Sequence, residues 1–173
     1  MYRYTVFQWL LIFFTYSFLG YLWEVAFLSV KNMSLIIDKG ILFGPVRTMY
    51  GAGAILLIFL ALPLKNNLIL VFLAGVAGAT LLELTVGSAF EKIFGYKCWN
   101  YSNMLFNLEG HICLAASLLW GVFAIFFVLY IHPLIDSFIF MIPPGIVKSV
   151  AIALTLLLSA DVRYSFAHFV TAR

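Results

Sequence analysis

The chain has 173 residues, 65% of them hydrophobic and 10% charged, with a net charge of +3 and a mean hydropathy of +1.10. Soluble domains carry about 25% charged residues, so the long apolar runs exclude a water-facing surface and indicate a polytopic integral membrane protein. The ten basic residues are scattered singly, which excludes the basic stripe of a nucleic-acid binder. No G-x-x-x-x-G-K-[ST] loop is present, so energy for any work comes from a gradient or a partner.

The hydropathy pattern predicts an all-α fold, one membrane domain over residues 1–173. It would be a helical bundle of about five transmembrane helices with re-entrant or interfacial segments. Helices are required because no other open structure satisfies its backbone in lipid. The first apolar run covers about 5–30 and is closed by Lys31-Asn32. It lacks a small-residue cleavage site and reads as a retained span. The second covers 46–64 and ends at a Pro63-Leu64-Lys65-Asn66-Asn67 turn. The third covers 68–94, the fourth 110–131 and the fifth 145–169. The stretch 132–144 is apolar, but at about 12 residues it is too short to cross, and it is expected to lie at the interface or re-enter.

Five spans place the first and third connections and the C-terminus on one side, with Lys31, Lys39, Lys92, Lys97 and Arg173 against Arg3 and Lys65 on the other. The positive-inside rule makes the first group cytoplasmic, in a cell membrane. Cys98 and Cys113 lack metal-ligand spacing and read as small hydrophobes, not a disulfide.

Glu24 falls in the last turns of the first span, Arg47 in the first turn of the second, and Glu83 and Glu91 in the C-terminal half of the third. His111 falls in the first turn of the fourth span, and Asp161 with Arg163 late in the fifth. A charge at bilayer depth costs at least ~2.5 kcal/mol, so Glu24, Glu83 and Asp161 need partners or water and are candidate site residues. Helical spacing puts Ser17, Gly20 and Glu24 on one face and Gly75, Ala79, Glu83, Gly87 and Glu91 on another. Arg47, Tyr50, Gly51 and Ala54 form a third stripe, and small residues there let helices approach closely. Asp161 shares a face with Ser165 and His168, while Arg163 points elsewhere and snorkels. Glu91 and Glu109 read as headgroup-level carboxylates, and Glu109-Gly110-His111 marks a helix N-terminus able to hold an anion. A metal on Glu24, Glu83 and His111 has no spacing signature behind it; no metal and no cofactor are expected.

The connections are unusual for loops. Gly40-Ile-Leu-Phe-Gly44-Pro45 leads through Arg47 into Tyr50-Gly51-Ala-Gly53, suiting a backbone that bends into the membrane and frees its N–H groups. Trp99-Asn-Tyr101-Ser102, then Asn107, Gly110 and His111, does the same before the fourth span. An aromatic interfacial belt explains Trp99 and Tyr101 but not Asn107 or Gly110. The shared order also allows a weak parallel repeat.

Together these residues carry a resemblance. Gly20-Tyr-Leu-Trp-Glu24, Lys39-Gly40-Ile-Leu-Phe-Gly44-Pro45 with Tyr50-Gly51, Glu83-x-x-x-Gly87, and Trp99-Asn-Tyr101-Ser102 with Asn107, Gly110, Ser117 and Trp120-Gly121 resemble the ABC-transporter permease family of CmpB type, type IV. The match runs from about Gly20 to Gly121. It implies a small bacterial multi-pass protein engaged in transport, with a separate ATPase as partner. The chain departs from the family pattern at Asn100, where an aspartate is usual, and at Arg47-Thr48, where a Cys-Pro pair is usual. A role for Arg47 is therefore particular to this chain.

Three functions stay open. The first is a membrane transporter or permease component with a polar intramembrane pocket near one face, using Glu24, Arg47, Tyr50, Glu83, Trp99, Tyr101, Asn107, His111 and Asp161 to bind substrate. The second is an intramembrane enzyme on a lipid or lipid-linked substrate, with Glu83 or His111 as base and Arg47 on a headgroup phosphate. The third is an accessory or assembly subunit whose carboxylates pair with a partner's basic residues. Partners are the lipid bilayer and a membrane subunit or a second copy in a homo-oligomer.

Overall fold

A computed structural model describes residues 4–37, 40 and 42–171, with side chains to 168. Arg3, Lys39, Ile41 and Arg173, used above for topology and for the loop motif, lie outside the described residues. The fold is an all-α bundle with six helices: α1 Val6–Lys31, α2 Thr48–Leu60, α3 Leu68–Phe94, α4 Leu114–Phe126, α5 His132–Met141 and α6 Pro144–Thr171. A two-stranded hairpin, β1 Asn107–Leu108 and β2 Ile112–Cys113, precedes α4.

Local chemistry sets the ends. Thr5 and Gln8 form a reciprocal capping box at the start of α1. Asn67 Oδ1 accepts the N–H groups of Ile69 and Leu70 to open α3. Gly95 closes α3 in the left-handed region at φ 78°, where only glycine is unstrained. Pro63 ends the second apolar helix in a 3₁₀ turn, Leu62–Leu64.

Among the described residues, four helical stretches are long and apolar enough to cross a membrane: Val6–Lys31, Leu68–Phe94, Leu114–Met141 and Pro144–His168. Two segments differ in length from the runs read in the sequence. The second apolar segment, Thr48–Leu64, is shorter than the other four, and its 17 residues would reach only about 25 Å as ideal helix. The stretch 132–144 is continuous with the fourth span as far as Met141, because α4 runs on through a π turn, Phe127–Ile131, into α5. Pro133 offers no N–H to the preceding turn, and a widened turn absorbs that loss without ending the helix. The chain breaks only at Ile142-Pro143-Pro144, where Pro143 O accepts the N–H groups of Ile146 and Val147.

The chain divides into two compact units, Met1–Ala54 with Ser137–Arg173, and Ile55–Asp136. In the first, α1 packs on α6 around Ile12, Phe14, Val147 and Ala151. In the second, α3 packs antiparallel on α4, with Gly75 against Gly121 and Ala124, around Ile58, Val71 and Phe127.

Candidate functional site

The expected site residues fall into two groups, one in each unit. In the first unit the small-residue face of α1 receives the start of α2. A Cβ at Gly20 would collide with the Tyr50 ring, and one at Gly51 with Ser17 Oγ and the Phe13 carbonyl. Arg47 is not in the first helical turn as expected. It precedes α2, gives its peptide N–H to Ser17 O at 2.9 Å, and so frees its side chain to reach back along α1. Its Nε is hydrogen-bonded and ion-paired to Glu24 Oε2, and its guanidinium lies 5.4 Å from the Tyr21 ring centroid. Glu24 thus has a resident cation as partner, and the Ser17 hydroxyl beneath is buried without a hydrogen bond.

Asp161 has a different set of partners. Its Oδ1 accepts the Phe43 N–H at 3.0 Å and the Ser165 hydroxyl at 3.1 Å, and its Oδ2 accepts the Gly44 N–H at 2.8 Å. The bend that ends at Pro45 frees those N–H groups, and the carboxylate on α6 satisfies them. Arg163 is exposed. Leu11, Phe14 and Phe18 on α1, with Leu154 and Leu157 on α6, line an apolar cavity of about 610 Å³ that reaches Asp161.

In the second unit Glu83 is 4% exposed. Its Oε1 accepts the Trp120 indole N–H at 2.9 Å, and its Oε2 makes no hydrogen bond of ordinary geometry among the described residues, with the Tyr101 phenol the group that interacts with the carboxyl from the other side. One turn earlier on α3, Thr80 donates to Ser117 Oγ at 2.7 Å. The Tyr101 phenol stands beside the carboxyl. Burial first, and the charge of Glu83 second, push it up to about 12.

His111 also departs from expectation. It does not open α4, because Glu109 at φ 52° and Gly110 at φ 71° turn the chain into the β1–β2 hairpin. The helix starts only after Cys113, whose Sγ accepts the Ala116 N–H. The expected anion site at a helix N-terminus on Glu109-Gly110-His111 is therefore absent. The imidazole is buried instead, with Nε2 3.0 Å from Glu91 Oε2. Trp99 donates its indole N–H to His111 O at 2.8 Å. Asn107 ties the loop together, donating to Ser102 O and Met104 O and accepting the Gly110 N–H. Lys97 lies 3.8 Å from Glu91 Oε1 and also donates to Glu109 O.

Trp120, Thr80 and Ser117 were not among the expected site residues. The available signal was general: a buried indole N–H needs an acceptor. Among the described residues, no group of three or more His, Cys, Asp or Glu gathers to hold a metal. A model of the family described as Putative ABC-transporter type IV matches residues 11–166. No curated protein and no solved structure matches the chain.

Proposed function

Since the chain belongs to the ABC-transporter type IV family of multi-pass membrane proteins, we propose that it is a permease-like transport component that loads its cargo or coupling ion on Glu83. The observation that carries this reading is the buried carboxyl with one oxygen capped by Trp120 and the other without a hydrogen bond of ordinary geometry among the described residues. A buried acceptor left unsatisfied costs about 1–3 kcal/mol. A proton, a cation or a donor-bearing substrate on Oε2 removes that cost, and so binds with the energy the resting protein forgoes.

Glu24 has the weaker claim, because Arg47 already neutralises it. Asp161 is committed to the Phe43 and Gly44 backbone. The family points to a separate ATPase as partner, and the counted lysines favour loops on the cytoplasmic side of a cell membrane.

The test is native mass spectrometry and vesicle uptake with the wild type and Glu83→Gln. Glutamine keeps an oxygen for the Trp120 N–H, so the variant is expected to fold and to lose ligand retention or uptake. A folded Glu83→Gln protein with unchanged retention and uptake overturns the reading.

A further inference from the structure

We propose that Glu83 exchanges a proton with the aqueous phase through a relay of Glu91, His111 and Tyr101 laid along the Gly87 face of α3, so that the proton is the species handled at this carboxyl. This rests on Glu83 being the loading group and names what it loads.

Glu83, Gly87 and Glu91 follow one another at four-residue spacing, on one face of α3, over about 12 Å of helix axis. The outer end is the open one: the Glu91 side chain is 41% exposed and has Lys97 beside it. The inner end is Glu83, 4% exposed. Gly87 opens the space between them, and the His111 ring occupies it. A Cβ on Gly87 would stand 2.9 Å from His111 Nδ1 and 3.1 Å from Trp99 Cζ2.

The two ring nitrogens therefore divide the work. Nε2 faces outward and lies 3.0 Å from Glu91 Oε2, while Nδ1 lies over Gly87, one turn from Glu83. Imidazole can take a proton at one nitrogen and release one from the other. Trp99, through its bond to His111 O, holds the ring in place. Tyr101 is fixed in the same loop by its N–H to Gly110 O at 2.9 Å, and its phenol is near enough to feel the Glu83 charge. A hydroxyl accepts at a lone pair while giving up its own proton.

Inward transfer then balances without net charge on the tyrosine. His111 Nδ1 gives its proton through an intervening water to Tyr101 Oη, the phenol proton moves to Glu83 Oε2, Glu91 returns a proton to His111 Nε2, and bulk water reprotonates Glu91. Release runs the same steps backward. Trp120, the α4 group on Glu83, is a donor only and cannot carry the proton further. The other titratable groups facing the path are Lys97 beside Glu91 and the Cys113 thiol near Tyr101.

Infrared difference spectroscopy on the full chain in lipid, moved from H₂O to D₂O, tests this. The carboxylic C=O band of protonated Glu83 is assigned by its loss in Glu83→Gln. In the wild type it should shift within the mixing time. In Glu91→Gln, His111→Gln and Tyr101→Phe it should persist and shift roughly 100-fold more slowly, the low end of what a positioned proton-transfer group contributes. Glu91 is at the exposed end, so Glu91→Gln keeps the test valid if His111→Gln does not fold. A Glu83 band that shifts at the wild-type rate in Glu91→Gln and Tyr101→Phe overturns the relay and leaves Glu83 as the loading group. No Glu83-dependent band at any pH overturns the proton as its cargo. Unchanged uptake in Glu83→Gln would remove the underlying reading instead.

Discussion

Trp120 gives its indole N–H to Glu83 Oε1 at 2.9 Å across the α3–α4 interface, and this hydrogen bond ties the buried carboxyl to α4. The glycines fix the pairing. Gly75 and Gly121 bring the two backbones close enough that Thr80 also meets Ser117. The depth of Glu83 is thus set by helix packing, and its half-satisfied state is part of the ground-state structure.

Trp120→Phe keeps an aromatic ring but removes the donor to Glu83 Oε1. The expected loss is about 1–3 kcal/mol of unfolding free energy, measured by reversible denaturation in mixed micelles. Glu83→Gln should lose less, because its amide oxygen still accepts the indole N–H. Equal stability of Trp120→Phe and wild type would mean the bond has no net worth.

The Glu24–Arg47 pair predicts an asymmetry. Removing one partner of a buried pair costs about 3–5 kcal/mol. Here Glu24 is 30% exposed and Arg47 12%, so water shares the carboxylate and the expected losses are smaller, about 1–3 kcal/mol. Glu24→Gln strands the more buried charge and should destabilise more than Arg47→Gln. The double variant should regain part of the loss in a double-mutant cycle. Additive single effects would show the pair to be uncoupled.

Gly20 and Gly51 predict intolerance to a single methyl group. In Gly20→Ala the new Cβ meets the Tyr50 ring, and in Gly51→Ala it meets Ser17 Oγ and the Phe13 carbonyl. Overpacking of this kind costs about 1–3 kcal/mol. Gly145→Ala, with nothing within 4 Å of the added atom, is the control and should be neutral or slightly stabilising. Folded yield and thermal midpoint in detergent report the contrast, and equal behaviour of all three would remove close packing as the reason for these glycines.

What was legible in the sequence follows from which forces are local. Apolar run length located α1, α3 and α6, because the bilayer sets one length for all of them. The period-four stripe located the buried face of α3, with Gly75, Glu83 and Gly87 on it. The length of 132–144 misled, since about 12 residues looked too short to cross, whereas a π turn joins His132–Met141 to α4 in one long helix. His111 misled too, because two successive positive φ values at Glu109 and Gly110 delay the helix, and only the glycine advertises that conformation. Partners were the least legible: Glu83 and Trp120 lie 37 residues apart, and a helical face names a direction without naming what fills it.

Tyr101 supplies the pH test. It lies in the connection after α3, outside the spans, and its phenol is raised from 10 to about 12 by burial and, second, by the Glu83 charge. Both causes favour the neutral phenol. The folded state holds this proton where the unfolded chain has lost it, so the stability that the phenol contributes is fully present below pH 10 and is lost as pH rises to about 12. Phenolate absorbance should show one of the nine tyrosines titrating late, identified by its absence in Tyr101→Phe. In Glu83→Gln the late titration should move down toward 10 without reaching it, because burial is the larger cause and remains. A shift all the way to the ordinary value would make the carboxyl charge the main cause, and no shift at all would separate Tyr101 from Glu83.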